Sequence, residues 1–244
     1  MRFKNILFTS LLAGVALLSG CASIQPTRFV SDVDSLSQTD AVAKKRYVLM
    51  PGGKGVDAGD LQFQEFAAYI EKVLAEKGFV KASTFQVADI VIFLAYAIGD
   101  PKTYQYTYSL PTWGQTGVSS SNTYGTVSSY GSMATYSGTT TYTPTYGVTG
   151  STTHVGTDTV YTRFLFLDAY DVPTYVKEKK MSQVWKTNVV STGSSGDLRL
   201  VVPYMVAAMK PYLGTNTGRK IEVEVPENDP AVQLLRGGQP PAVK

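Results

Sequence analysis

The chain of 244 residues has very little of the side-chain chemistry that disulfides, metal sites and many catalytic sites require. It contains one cysteine, Cys21, and one histidine, His154. A single cysteine excludes an intramolecular disulfide, and a single histidine excludes a metal site built from several histidines. We therefore predict a non-enzymatic protein with no cofactor, no metal and no catalytic residue.

Long apolar runs are also missing, except for a short one near the N-terminus. Arg2 and Lys4 precede an apolar run over residues 6–18, which ends in Ser19 and Gly20. A basic start, a core of about a dozen apolar residues and a small-residue end are typical of an export signal. The run is shorter than the ~20 residues that a transmembrane helix needs. Residues 1–20 are thus predicted to be a signal peptide.

The end of this signal resembles the bacterial lipobox, in the sequence Leu18-Ser19-Gly20-Cys21. The resemblance implies diacylglycerol on the Cys21 thiol, cleavage before Cys21 and acylation of the new amine. Two or three acyl chains anchor a protein stably, whereas one does not. Ala22 and Ser23 follow, with no Asp, which resembles the pattern sorted to the outer membrane in enteric-type bacteria. We expect a lipidated tether over 21–27, in the outer membrane and on its periplasmic face.

The numbers of basic and acidic side chains are nearly equal. The sequence has 22 basic and 19 acidic side chains, and removal of Arg2 and Lys4 leaves 20 basic ones. No block of Lys and Arg remains to attract a phosphate backbone. Nucleic acid is therefore not expected as a partner.

Two amphipathic helices are predicted in the mature chain. Apolar residues recur at spacings of three and four over 61–79, after Asp60 as the N-cap and with Gly78 as the left-handed stop. A second helix is predicted over 198–213. Pro203 lacks an amide donor, so this helix either begins near Val202 or kinks there.

Strands account for most of the rest. β-branched or alternating segments predict strands at 47–50, 88–98, 157–172, 183–191 and 220–225, and residues 28–34 suggest an edge strand. The predicted fold class is α+β (an α/β sandwich): a mixed, mainly antiparallel sheet with two helices packed on it. The single domain covers 28–225, and the Pro- and Gly-containing tail 226–244 is predicted to be disordered.

This order of elements resembles one lipoprotein family, the domain-of-unknown-function family 4136. The likeness lies in Lys77-Gly78-Phe79, Ala88-Asp89-Ile90, Phe166-Leu167-Asp168 and Val184-Trp185, and spans roughly 28–107 and 157–214. It implies an anchored envelope protein with two helices on a mixed sheet. It implies no catalytic residues, because the family is defined without an assigned activity.

Four features invite a catalytic or ligand-binding interpretation, and we favour a structural one for each. His154 is expected to be a solvated loop residue, and the segment 51–55 (PGGKG) to be a turn, since it lacks the spacing of a phosphate loop. Asp168 and Asp171 are expected to end a buried strand. Trp185 is expected to pack in the core.

The insertion at 109–156 is dominated by Ser, Thr, Gly and Tyr. Tyr124, Tyr130, Tyr136 and Tyr142 fall six residues apart, so in an extended segment all four point to one side. The flanking strands would let the insertion form an elongated antiparallel hairpin. These four tyrosines are the predicted contact surface.

Several interpretations of the insertion stay open from the sequence. It is a flexible or loosely paired loop, a surface for a protein or glycan partner, or a pair of membrane-facing strands in an oligomeric pore, although aliphatic alternation for the last is lacking. A self-assembling β stack is opposed by the glycines and Pro144. We predict a structural or adaptor role in the cell envelope, with a polysaccharide- or peptidoglycan-binding module as the alternative.

Overall fold

The computed structural model describes residues 27–237 and divides into two units. Unit 1 comprises residues 27–99 and 161–237, and unit 2 comprises Asp100–Val160. The predicted signal peptide and Cys21 lie outside the described residues, as does the tail from 238 onward. Unit 2 contains the predicted insertion 109–156 and extends beyond it at both ends.

Over residues 27–237 the structure is mixed α/β, with a mixed sheet and four helices. The helices are α1 (Leu61–Glu76), α2 (Val172–Glu178), α3 (Leu198–Met209) and α4 (Pro230–Leu235). The strands are β1 (Arg28–Ser37), β2 (Arg46–Pro51), β3 (Val80–Lys81), β4 (Ile90–Ile98), β5 (Lys102–Tyr130), β6 (Met133–Asp171), β7 (Gln183–Gly193) and β8 (Ile221–Pro226).

The sheet of unit 1 runs in the order β3-β2-β4-β6-β7-β1-β8. The pairs β2–β3 and β2–β4 are parallel, and the other pairs are antiparallel. The β-branched run in β4 lies between β2 and β6, where both faces are covered in part. β1 lies between β7 and β8, so the prediction of an edge strand at 28–34 was wrong. Ser31 and Ser35 of this strand are polar but buried, so the sequence of an interior strand resembled that of an edge strand.

Helix α1 follows the sequence prediction closely. The Asp60 carboxylate accepts a hydrogen bond from the Phe63 amide at 2.7 Å, as an N-cap does. Gly78 has φ +77°, and the Phe79 amide donates to the Leu74 carbonyl at 2.9 Å, which turns Phe79 back onto the helix. The helix buries one apolar stripe, made of Phe63, Phe66, Ala67, Ile70, Val73 and Leu74.

Helix α3 begins at Leu198 and contains Pro203, so it does not start near Val202. The Asp197 carboxylate caps it by accepting from the Arg199 amide at 2.9 Å. Proline early in a helix loses only one backbone hydrogen bond, and burial of both Pro203 and Met205 offsets that loss. The last residues of the predicted helix form a 3-10 turn, Lys210–Tyr212.

The tail is ordered at least as far as residue 237, which corrects the prediction of disorder from 226. Pro230 opens α4, and the Asp229 carboxylate accepts from the Ala231 amide at 2.8 Å. Val232 and Leu235 are buried in the core of unit 1. Lys72 also donates to the Leu235 carbonyl at 2.8 Å. Two apolar residues one turn apart thus fix a segment whose composition suggested a free tail.

The core of unit 1 joins the stripes of α1 and α3 to the inward side chains of β4, β6 and β7. Ile92, Leu167 and Val189 are completely buried in it, and Trp185 is 1% exposed, as predicted. Burying each such side chain contributes roughly 1.5–3 kcal/mol. The stability of unit 1 therefore comes from a conventional apolar core.

Unit 2 is a two-stranded antiparallel ribbon, formed by β5 with residues 133–160 of β6. Tyr130 and Met133 face each other across a two-residue turn, in which Gly131 has φ +64°. Glycine at the first central position is characteristic of the tight hairpin turns that match strand twist. Of the alternatives left open by the sequence, the structure has the elongated hairpin.

Candidate functional site

The side chains of the ribbon separate onto two faces of different chemistry. Between residues 133 and 148, β6 has no bulge, so its even-numbered residues share one face and its odd-numbered residues share the other. Residues paired directly across two antiparallel strands lie on the same face. The pairing of β6 with β5 therefore assigns each β5 residue to a face.

The first face, which we call the ring face, consists of the even-numbered residues 134–148 and their β5 partners. It pairs Tyr136 with Val127, Tyr146 with Gln115, and Val148 with Trp113. Its large apolar side chains are all solvent-exposed: Trp113, Val118, Val127, Tyr136, Tyr142, Pro144, Tyr146 and Val148. This face is aromatic and contains no charged group.

The opposite face, which we call the hydroxyl face, consists of the odd-numbered residues 133–147 and their β5 partners. Apart from Tyr130 and Met133 beside the turn, its one large side chain is Tyr124. The others are small and mostly polar: Thr135, Ser137, Thr139, Thr141, Thr143, Thr145, Gly147, Ser128, Thr126, Asn122, Ser120, Gly117 and Gly114. The ribbon is therefore amphipathic across its thickness.

This division corrects the expectation that the four regularly spaced tyrosines share one side. Tyr124 and Tyr130 lie on the hydroxyl face, whereas Tyr136 and Tyr142 lie on the ring face. Because the turn has two residues, each pair near it joins an even-numbered residue to an odd-numbered one, as in Tyr130 with Met133. Even-numbered residues of β5 therefore share a face with odd-numbered residues of β6.

Sequence reasoning missed Trp113 and Tyr146, which belong to the ring face. Register shifts occur at three places in the middle of the ribbon, between 112 and 113, 115 and 117, and 118 and 120. Each shift moves the following residues to the other face. The even spacing of Tyr136, Tyr142 and Tyr146 within the single strand β6 would have placed Tyr146 on the same face as the other two.

Hydroxyl side chains stabilise these shifts. Thr116 donates to the Thr145 carbonyl at 3.3 Å, and Ser119 donates to the Thr143 carbonyl at 3.2 Å. Thr149 donates to the Thr112 carbonyl, also at 3.3 Å. A bulged residue leaves the ladder locally disrupted, and each of these three side chains supplies a replacement donor.

One tyrosine of the ring face covers a gap in the ribbon. Gly125 pairs with Gly138, and a Cβ at either position would overlap the ring of Tyr136. The ring thus lies over backbone that carries no side chain. This is aromatic rescue of a glycine pair, which compensates in part for the poor strand propensity of glycine.

A second aromatic cluster lies at the base of the ribbon. Tyr106 and Tyr108 have ring centroids 6.1 Å apart, and Tyr108 stacks on His154 at 5.5 Å. His154 is exposed, so it is solvated as predicted, but it lies in a strand and not in a loop. It has an aromatic neighbour and no acidic hydrogen-bond partner among the contacts of unit 2 that the structure describes.

In unit 1, the structure brings together two features that the sequence treated separately. The turn Pro51, Gly52, Gly53 and Lys54 and the side chain of Asp168 line one cavity of about 420 Å³. A neighbouring cavity of about 590 Å³ shares Phe93, Tyr170 and Met181 with it. Both lie on the open face of the sheet, away from the core that α1 and α3 cover.

Asp168 supplies the carboxyl group that lines the cavity of about 420 Å³. Burial raises its pKa, against the opposing effects of nearby Lys186 and of Gln183, which donates to the carboxylate at 2.8 Å. A raised pKa favours the neutral carboxyl, which can donate a hydrogen bond. Among residues 27–237 no group of three metal-ligating side chains is formed. The cavity offers an apolar wall with one carboxyl group.

Asp171 does not form an acid pair with Asp168, because each carboxylate has its own partners. Asp171 caps α2 by accepting from the Thr174 amide at 2.7 Å and pairs with Lys44 at 2.6 Å. Burial pushes the pKa of Asp171 upward, but the hydrogen bonds from Lys44 and Thr174 outweigh it, so the pKa is lowered. Asp171 ends its strand, as predicted, and also begins a helix that was not predicted.

None of the helices within residues 27–237 has the length and apolarity to cross a bilayer. No protein-family model matches the chain, and no curated protein is similar to it. A solved structure with some likeness is a PDZ domain protein from Parabacteroides distasonis ATCC 8503, at 13% identity and a TM-score of 0.38. The match covers 89% of this chain and 43% of that one.

Proposed function

We propose that this chain is a non-enzymatic lipoprotein, anchored through an acylated Cys21 in the outer membrane and facing the periplasm. Its role is structural or adaptor-like in the cell envelope, and the ribbon of unit 2 is its contact surface. The observation that carries this proposal is the ring face, because contiguous exposed apolar groups mark interaction sites. Trp113, Tyr142 and Tyr146 are between 63% and 72% exposed there.

Within this proposal, unit 1 is the supporting domain and belongs to the α/β sandwich class. Its mainly antiparallel sheet and the buried stripes of α1 and α3 support that class. The order of its elements also resembles that of the domain-of-unknown-function family 4136. The membrane is a partner only through the acyl chains, and the ribbon contacts an envelope protein.

Mass spectrometry of the mature N-terminus tests the anchor. We expect the chain to begin at Cys21, with a mass increased by diacylglycerol and an amide-linked acyl chain. Cys21→Ser should abolish processing and remove the protein from the outer-membrane fraction, whereas Ser23→Ala should leave the added acyl mass and the location unchanged. A wild-type chain that keeps residues 1–20 or carries a free thiol contradicts the proposal.

A glycan-binding function is the second candidate, favoured by the exposed rings. Flat rings with a polar edge suit stacking on sugars. Binding to purified peptidoglycan should be saturable and should weaken at least tenfold in Trp113→Ala/Tyr142→Ala/Tyr146→Ala. The matched hydroxyl-face variant, Tyr124→Ala/Tyr130→Ala, should bind as wild type does. Equal binding by all three proteins excludes the ring face as a glycan site.

A further inference from the structure

The two outer edges of the ribbon have no backbone partner within the part of the chain that the structure describes. β5 pairs with β6, and residues 133–160 of β6 pair with β5 alone. An open strand edge is a row of amide and carbonyl groups ready to accept another strand. Two strands by themselves are marginally stable in water, and a third strand adds stability.

The outer part of the ribbon, which we call the tip, consists of residues 120–130 and 133–143. Its eleven pairs, from Ser120 with Thr143 to Tyr130 with Met133, continue without a register shift. The bulges and both ribbon prolines, Pro111 and Pro144, lie outside it. At ~3.4 Å per residue, the tip is about 35 Å long.

The tip lacks the devices that usually protect a strand edge. Natural edges carry charged residues, prolines or bulges, or are very short. The tip has no Asp, Glu, Lys, Arg or Pro, and the charge-free segment extends from Thr103 to Thr157. Threonine is its most frequent residue and favours strands. Pro144, which argued against self-association, lies outside the tip, and the two glycines inside it, Gly125 and Gly138, are covered by the ring of Tyr136.

The geometry favours a second copy of the same chain as the partner of this edge. β5 and β6 run antiparallel, so two copies standing side by side in the same orientation bring a β5 edge next to an antiparallel β6 edge. Acyl anchoring, which belongs to the proposed function, confines all copies to one membrane surface. An uncharged edge does not repel its own copy. Side-by-side copies also keep ring face beside ring face.

We propose that the tip pairs edge to edge with the tip of a second copy, through backbone hydrogen bonds from β5 of one copy to β6 of the next. This deepens the proposed function by naming the partner of the ribbon. Because the two edges differ, each copy can bind one neighbour on either side, so the contact is heterologous and propagates. If the rotation from each copy to the next adds up to a full turn, the copies form a closed ring.

The turn defines which amides are available for this contact. The pair that closes a two-residue hairpin loop is hydrogen-bonded, so Tyr130 and Met133 direct their amides inward. The amides of alternate residues then point outward, which includes Thr123 and its partner Thr140. Their hydroxyl groups lie 2.8 Å apart, in keeping with the closer approach of a pair that is not hydrogen-bonded. Each edge offers about ten backbone groups over the tip.

Proline at the outward positions tests the proposal. Thr123→Pro/Thr140→Pro removes two outward donors and keeps the inward ladder. Thr123→Val/Thr140→Val is the matched control, because it loses the same two hydroxyls and keeps both amides. Native mass spectrometry of the full mature protein released from detergent reports the copy number. We expect assemblies of wild type and the valine variant, and a loss of at least tenfold in assembled protein for the proline variant.

Hydrogen exchange and a deletion variant test the edge contact even if the proline substitutions disrupt the ribbon itself. In wild-type assemblies, the outward amides of Thr123 and Thr140 should exchange at least tenfold more slowly than in single copies of the wild-type protein. A variant lacking residues 120–143 should be a single copy at every concentration. For this comparison the reference rate is that of Thr123 and Thr140 in wild-type protein diluted until native mass spectrometry detects single copies.

Each contrary result overturns the inference. These are a single copy for wild type at all concentrations, assemblies that persist in the proline or deletion variant, and loss of assembly in the valine variant. The same spectra report the acyl mass on Cys21 separately. A failed anchor is therefore distinguished from a failed edge contact.

Discussion

In unit 1 the aromatic side chains Phe66 and Trp185 are buried, whereas in unit 2 Trp113 and Tyr130 are 72% and 94% exposed. The two units nevertheless share a strand, β6, and both are rich in β structure. Unit 1 satisfies its apolar residues by packing helices on a sheet. Unit 2 has only pairing between two strands to hold it. The comparison teaches that strand pairing and core formation are separable, and that the exposed unit is the one with surface left to bind a partner.

The largest difference between the units is expected from the same substitution made in each. Val189→Ala in unit 1 should lower the free energy of unfolding by about 2 kcal/mol, because Val189 is completely buried and the change leaves a cavity. Val148→Ala on the ring face, where valine is 55% exposed, should change it by less than about 0.5 kcal/mol.

Urea unfolding monitored by tryptophan fluorescence measures both variants. The two tryptophans, Trp113 and Trp185, are divided between the units. A Trp113→Phe background therefore leaves Trp185 to report on unit 1 for Val189→Ala, and the additional signal of Trp113 in the wild-type background reports on unit 2 for Val148→Ala. Equal losses of unfolding free energy in the two variants would contradict this prediction, because they would indicate that the ribbon has a core of its own.

A smaller and pH-dependent effect is expected from the ion pair at the start of α2. Lys44→Met should destabilise unit 1 by about 1 kcal/mol at neutral pH, because it leaves the buried Asp171 carboxylate with fewer donors. The folded-state pKa of Asp171 is lowered, so its contribution is present above the ordinary carboxyl pKa and is lost as pH falls through the folded value.

The difference between wild type and Lys44→Met should therefore shrink as the pH is lowered below about 4. The pKa of Lys44 is raised, since hydrogen bonds to Asp171 and Asp40 outweigh burial, which lowers it. Its contribution is thus retained up to alkaline pH and lost above the ordinary lysine value. Urea titrations at several pH values check this, with exposed Lys54→Met as the control. A difference independent of pH would contradict the assignment.

The smallest effect is expected within the ribbon, between tyrosines on opposite faces. Tyr136→Ala should weaken local pairing by about 0.5 kcal/mol, because the ring covers Gly125 and Gly138. Tyr124→Ala should have less effect, since Tyr124 faces Thr139. Hydrogen exchange of the amides near Gly125 measures both. A greater loss in Tyr124→Ala would show that the two faces are assigned wrongly.

Local signals in the sequence predicted unit 1 well. Asp60 and Gly78 define the ends of α1 because a cap and a left-handed residue act within one turn. The strands predicted at 88–98 and 157–172 are likewise present, as β4 and the end of β6, which pair antiparallel. Buried serines concealed that β1 is interior, since alternation measures the polarity of side chains and not their burial.

Unit 2 and the tail were harder to predict because their structure depends on pairing and packing between distant residues. A six-residue period defines a face only within one strand, so the turn at Gly131 divides the four tyrosines between two faces. The three register shifts determine which face Trp113 shares with the β6 tyrosines. α4 is held by contacts from Lys72 and α3, and these contacts cannot be predicted from the sequence of 226–237. The cavity beside Asp168 likewise required the fold, because residues 51–54 and 168 are brought together only by the sheet.

The absence of charge between Thr103 and Thr157 has a consequence for how the ribbon behaves in different environments. Ionic strength acts on charged groups, so the contacts of the ribbon should be nearly independent of salt. Lys102 and Arg163 are also consecutive basic residues in the sequence, so a trypsin-like protease finds no cleavage site between them. The most exposed part of the molecule is therefore released from such a digest as one uninterrupted peptide.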